Sequence, residues 1–152
     1  MIPSKNCLDI TKVSEGCKLK AYVDPASGAL PITIGWGNTL RADGTKFKLG
    51  DTLTQSQADN LLQFTINQVA KQVVATLGKT VVNQNQFDAL VDFDYNEGNG
   101  KLIGSDLLKL VKVNPNNPAI AAEFMRWKYS NHKIFNGLVH RRAAEVKLYF
   151  TK

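Results

Sequence analysis

The sequence predicts an α+β fold, with a small antiparallel sheet beside a larger helical lobe. Three observations carry that prediction. The convincing strand patterning lies at residues 18–37, with Asn38 to Asp51 reading as a further turn or short strand. Beyond Gly50, apolar residues recur at helical spacing as far as Phe150. The length, 152 residues, suits one domain able to bury a sizeable core without staples.

Each element has its own signal. Ser4 is placed to cap a helix reaching Glu15, with Cys7, Ile10 and Val13 as its apolar row, Leu8 and Thr11 beside it, and Gly16 as its stop. Lys18 to Val23 alternates, with Lys18, Lys20 and Tyr22 on one face and Leu19, Ala21 and Val23 on the other. Asp24 to Gly28 is a turn cluster, and Ile32 to Gly37 reads as the returning strand. Thr54 to Gln57 fits a capping box. It opens a long helix through Ala58, Leu61, Leu62, Thr65, Val69, Val73 and Leu77, closed by Gly78. A helix over Gln84–Asn96 follows, with Phe87, Leu90, Val91 and Asp94 along one side, broken at 97–100. Ser105 caps the next, and Asn117 with Pro118 starts another. Residues 129–137 read as a loop, and Leu138 to Phe150 as a basic amphipathic helix. The sheet near the N-terminus is expected to be the only β region.

Composition narrows the function. With 43% hydrophobic and 21% charged residues, wholesale disorder is excluded. The formal charge is +6, but residues 1–124 carry 12 cations and 12 acids, whereas residues 125–152 hold seven cations against Glu145 alone. A neutral body with a basic C-terminal segment points to an anionic partner: nucleic acid, an acidic polymer or a membrane surface. Cys7 and Cys17 have no metal-type spacing and read as reduced thiols of a cytoplasmic product. Lys5, Asp9 and Lys12 break the N-terminal stretch, so neither a signal peptide nor a membrane anchor is expected.

Two acids flank the first strand. Glu15 ends a helix, whose negative pole disfavours the ionised carboxylate. Asp24 lies in a turn with backbone N–H groups nearby, which favours ionisation. Two carboxyls pushed apart in this way suit general acid and base work, as in glycoside hydrolysis. The same two residues also suit a solvated helix-end Glu and a turn-forming Asp.

The string Glu15-Gly16-Cys17-Lys18-Leu19-Lys20-Ala21-Tyr22-Val23-Asp24, followed by Thr33-Ile34-Gly35-Trp36-Gly37, resembles the phage-type lysozymes of glycoside hydrolase family 24, the T4-lysozyme-like endolysins. Their motifs are E-G-x-x-L-K-x-Y-x-D and T-I-G-x-G. Phe93 to Gly98 is similar to the family's F-x-x-N-x-G, Ser105 to Leu108 to its S-x-L-L, and Gly137 to Glu145 to its G-L-x-x-R-R-x-x-E. The resemblance implies a lysozyme-like fold with a cleft between a β lobe (about 17–52) and a helical lobe (1–16 and 53–152), all one catalytic domain. It implies Glu15 as general acid, Asp24 as the residue that orients water or steadies positive charge, and Thr33 as the holder of the attacking water. The spacer before Thr33 is longer than in the family's compact form, which leaves Thr39 as the alternative.

Other residues carry two readings. Trp36 and Tyr95 can stack on sugar rings or belong to the core, and Trp127 reads as core. Ser105 can touch substrate or act only as an N-cap. Arg141 and Arg142 can place a guanidinium beside Glu15 or line a solvated face. His132 and His140 read as ordinary surface histidines. No cofactor and no metal are expected. The resemblance implies a muramidase that cuts the β-1,4 bond between N-acetylmuramic acid and N-acetylglucosamine in peptidoglycan. It also implies a monomer, held in the host cytoplasm until a holin opens the membrane. The basic segment then meets an anionic cell envelope and not nucleic acid. The rivals are a non-catalytic basic binding domain and a lytic transglycosylase on the same fold.

Overall fold

The computed structural model describes residues 1–23 and 30–151. The chain runs α1 (Lys5–Glu15), β1 (Lys18–Val23), β2 (Ile32–Gly35), α2 (Gln55–Leu77), α3 (Gln84–Glu97), α4 (Asn99–Gly104), α5 (Asp106–Val113), α6 (Ile120–Met125), β3 (Tyr129–Ser130), β4 (Lys133–Ile134) and α7 (Asn136–Tyr149). Asp24, the turn cluster 24–28 and Lys152 lie outside the described residues.

The sheet is narrow. β1 and β2 pair antiparallel, with Tyr22 opposite Thr33 and Val23 opposite Ile32, and the register shifts between Lys18 and Tyr22. The other edge of β1 is covered by the chain just before α2: Ala21 N–H donates to the Asp51 carbonyl, and Leu53 N–H donates to the Leu19 carbonyl. That cover closes this edge of β1 from Leu19 to Ala21. Beyond β2 the chain turns at once, with Ile34 and Asn38 exchanging backbone hydrogen bonds at 2.9 Å.

The helices begin where their caps are. Thr54 and Gln57 form a reciprocal capping box on α2, and Asn83 and Gln86 form another on α3. Ala58, Leu62, Ile66, Ala70, Val73 and Leu77 form the buried row of α2. Thr65 and Val69, expected in that row, are only half-buried because they face a cleft.

The core centres on α3. A one-sided helix was expected there, but every residue from Gln86 to Asp94 is buried. α1, α2, α4 and α7 all pack against it, so no side of its middle faces water. Phe93 meets Phe124 and Trp127 edge-on, at centroid separations of 5.7 and 5.3 Å. This is the core setting expected for Trp127.

Several expectations change. On α1 the buried residues are Cys7 and Thr11, one turn apart, while Val13 is exposed. The row of spacing three misses the face because neighbouring turns align at three or four residues in alternation. Gly98, with φ of 89°, ends α3 where a break is expected, but the chain restarts immediately as α4. α6 begins at Ile120 and not at Pro118; Asn117 Oδ1 instead accepts from Ala119 N–H and closes the turn before it. The stretch read as a loop contains a second hairpin, β3–β4, so the N-terminal sheet is not the only β region. Asn131 and His132, both at positive φ, form its two-residue tip.

Removing the ring at the centre of this packing tests it. Phe93→Ala is expected to lower the unfolding free energy by about 3–5 kcal/mol, measured by urea denaturation.

Candidate active site

The position of Glu15 follows from α1, which is held at both ends. At its start, Ser4 N–H and Oγ–H both donate to Asp88 of α3, at 3.0 and 2.5 Å. In its middle, Thr11 donates to Asp92 Oδ1 at 2.6 Å. Asp88 and Asp92 lie one turn apart on α3, so one face of that helix grips the length of α1. At its end, Gly16 leaves the helix with φ of 68°, and Glu15 Oε1 accepts from Arg141 Nη1 at 2.5 Å.

Arg141 joins three elements. Besides Glu15 on α1, it donates from Nε to Asp92 Oδ2 at 2.9 Å and from Nη2 to Asp92 Oδ1 at 2.8 Å. This bidentate fork is buried. Burial alone would raise the Asp92 carboxyl, but the Arg141 charge and the hydrogen bonds from Arg141 and Thr11 outweigh it and hold Asp92 below the usual carboxylate range. Arg142 sits one residue away with different partners. It donates to Glu145 at 2.7 Å and Asn96 at 2.8 Å and stacks on Phe93. The structure therefore brings Arg141 to Glu15 and does not bring Arg142 there. Neither guanidinium lies on a solvated face, and the buried side of α7 is ionic where an apolar one was expected.

The β region closes on Glu15 through Gly37. A Cβ on Gly37 would stand 2.8 Å from Glu15 Oε2, and its φ of 88° also belongs to glycine. Trp36 fixes the approach. Its indole N–H donates to Asp59 Oδ1 on α2 at 2.8 Å, and its carbonyl accepts from the Tyr95 hydroxyl of α3 at 2.8 Å. Lys12 reaches the same Asp59 oxygen and lies over the indole. Burial, with the Glu15 charge second, keeps the Tyr95 phenol protonated and so a donor.

Glu15 lies in a cleft of about 510 Å³ between the β region and α2–α3. Thr39, Arg41, Phe64, Gln68, Tyr95 and Asn96 share its walls. The volume falls within the usual range for a ligand site. A larger, apolar groove of about 640 Å³ between α1 and α7 has Asp9 as its acid and lacks Glu15, so it does not bear the same chemistry.

The expected site residues divide. Glu15, Tyr95 and Thr39 line the cleft. Trp36 does not: its ring packs against the core, Lys12 and Asp59. Ser105 does not either. Its Oγ accepts from Leu108 N–H and donates to the Leu102 carbonyl, so the hydroxyl serves the cap, and the residue is buried. Thr33 is buried on β2, with a long hydrogen bond to the Pro31 carbonyl. Asp24 is outside the described residues. Cys7 and Cys17 are unpaired thiols. Sequence reasoning missed Asp92, Gly37 and Asp59. The second glycine of T-I-G-x-G was a signal for the close backbone approach.

A small sheet and a helical body meeting at a cleft with an acid at its floor is the lysozyme type of α+β fold. The chain belongs to the phage lysozyme family, whose model matches residues 12–145. It is 38% identical to the endolysin of Bacillus phage PZA over 93% of this chain and 52% of that protein. It is 34% identical to the endolysin of Salmonella phage P22 over 97% of both chains. The chain thus spans about half the length of the first relative. The solved endolysin from Escherichia coli O157:H7 phage FAHEc1 superposes with a TM-score of 0.86 at 32% identity, covering 99% of this chain and 94% of that one.

The contact at Gly37 has a thermodynamic signature. Gly37→Ala is expected to destabilise the fold by more than the roughly 1 kcal/mol of backbone strain alone. Adding Glu15→Ala should recover only the excess, as a double-mutant cycle by urea denaturation would show.

Proposed function

We propose that this chain is an endolysin that hydrolyses the β-1,4 bond between N-acetylmuramic acid and N-acetylglucosamine in peptidoglycan, with residues 1–152 as one catalytic domain and lobes at about 17–52 and at 1–16 with 53–152. The observation that carries the reading is Glu15 itself. It stands at the floor of an open cleft, with its side chain 22% exposed and one oxygen held by a buried guanidinium. A carboxyl fixed in that way can present its second oxygen to a bound glycan.

In this reading Glu15 donates a proton to the glycosidic oxygen as the bond breaks. Asp24, with Thr33 or Thr39, holds the water that attacks the anomeric carbon. Thr33 stands on β2 opposite Tyr22 of β1. Thr39 has the cleft wall in its favour. Tyr95 and Asn96 form the wall opposite the β region and suit contact with a sugar ring. The chain acts as a monomer, since one copy supplies both walls. It waits in the host cytoplasm until a holin opens the membrane; among the described residues no helix is long and apolar enough to cross one.

The basic segment acts at longer range. Arg126, Arg141 and Arg142 are taken up by ion pairs, so the attraction to an anionic envelope falls to exposed lysines such as Lys133 and Lys147. This field raises the enzyme's concentration on the wall and is weakened by salt.

Purified peptidoglycan tests both parts. Glu15→Gln is expected to abolish clearing at every salt concentration; clearing at the wild-type rate overturns the assignment. Released fragments should carry reducing ends, and 1,6-anhydro ends would make the enzyme a transglycosylase. Lys133→Gln with Lys147→Gln is expected to slow clearing several-fold at low salt, with the difference vanishing near 1 M salt.

A further inference from the structure

The buried charges behind Glu15 do not pair off evenly. Arg141 contacts Glu15 on one side and Asp92 on the other. Glu145, fully buried on α7, receives Arg142 at 2.7 Å on Oε1 and has Arg141 Nε at 3.8 Å. Its Oε2 is buried with no partner among hydrogen-bond donors. An acceptor in that position is costly, but a protonated oxygen there is a donor. The neighbouring acceptor is Asp92, which shares Arg141 with Glu145 and whose charge pushes the Glu145 carboxyl up.

We propose that Asp92 is a positioning residue that balances the Arg141 charge at Glu15, and that Glu145 enters the balance as a neutral carboxylic acid donating Oε2–H to Asp92. The inference rests on Glu15 being the acid of the proposed hydrolase. A guanidinium touching a general acid favours its ionised, inactive form. The Asp92 carboxylate on the other edge of the same guanidinium draws on the same charge, so Glu15 keeps the Arg141 hydrogen bond without facing that charge alone. An ionised Glu145 would place a second negative charge against Asp92 in a dry interior. Burial, then the Asp92 charge, drives Glu145 well above the usual range, against the opposing pull of Arg142 and Arg141.

The other groups facing this cluster fit the same account. From α1 come the Thr11 hydroxyl, which donates to Asp92, and the Cys7 thiol, which burial and the Asp92 and Asp88 charges keep protonated. From α3 come the protonated Tyr95 and Glu97, the latter paired with Arg142 and Lys101. From the β region Gly37 lies against Glu15, and Arg41, paired with Asp51, lines the same cleft.

The test reads protonation directly. Carboxyl-carbon NMR titrations of the full chain, wild type, Asp92→Asn and Glu145→Gln, follow Glu15 and Glu145, beside kcat/KM against pH on peptidoglycan. In the wild type, Glu145 should remain protonated at pH 7. In Asp92→Asn, the Glu15 midpoint and the alkaline limb of kcat/KM should both move to lower pH by about one unit or more. In Glu145→Gln, which keeps a neutral donor, both should stay in place. An ionised Glu145 at pH 7, an unmoved Glu15 midpoint in Asp92→Asn, or an equal shift in Glu145→Gln overturns the proposal. If Asp92→Asn does not fold, the wild-type Glu145 signal decides. Activity surviving in Glu15→Gln would instead refute the hydrolase reading, and the NMR midpoints would still report on the charge balance.

Discussion

The buried fork between Arg141 and Asp92 is the interaction on which the rest depends. It ties α7 to α3, and through Nη1 it sets the end of α1 and the carboxyl carried there. Removing one partner of such a pair leaves an uncompensated charge in the interior, at a cost of about 3–5 kcal/mol. The same atoms therefore serve stability and the placement of the acid. A surface pair such as Lys5–Asp9, largely exposed, contributes little by comparison.

A helix buried on all sides would ordinarily be apolar, yet α3 carries three buried aspartates. Their donors come from the α1 segment, from α4, from α7 and from α3 itself. Asp88 receives Ser4 and Gln84, Asp92 receives Thr11 and Arg141, and Asp94 receives Asn99. Burial pushes Asp94 up, and the Asn99 N–H group only partly offsets it. Because a buried carboxylate is tolerable only with its donors in place, the three aspartates specify which neighbours α3 accepts and at what height. Apolar packing alone would allow α1 to slide along α3.

Much of the fold was legible because local rules and packing agree. The caps at Ser4, Thr54 and Ser105 and the stops at Gly16 and Gly78 act within a few residues of themselves, and each element begins or ends beside them. The positions of β1 and β2 were readable, although the burial of β1 runs from exposed at 18–20 to half-buried at 21–23 without alternating and β2 stops at Gly35 and not Gly37, and the family was readable from a handful of motifs. What stayed hidden depends on contacts across the chain. Nothing near Asp92 in sequence marks it as the partner of a residue 49 positions later. The charged face of α7 looks solvated until its partners on α1 and α3 are in place. Trp36 and Ser105 looked like cleft residues because they adjoin motifs, but the indole is committed to Asp59 and the hydroxyl to its cap. The two-residue strands of β3–β4 are too short to show a period.

The separation of Glu15 from Arg141, 126 positions, has a consequence for synthesis. The acid leaves the ribosome 126 positions ahead of the guanidinium that fixes it. Until α7 docks, Asp92 lacks its counter-ion, and the end of α1 has no anchor from that side. Contacts this distant in sequence form late, because a long loop must close before they repay the ordering. A partly translated chain is thus an unassembled cleft, and a cell producing it meets the finished site only after translation has passed α7.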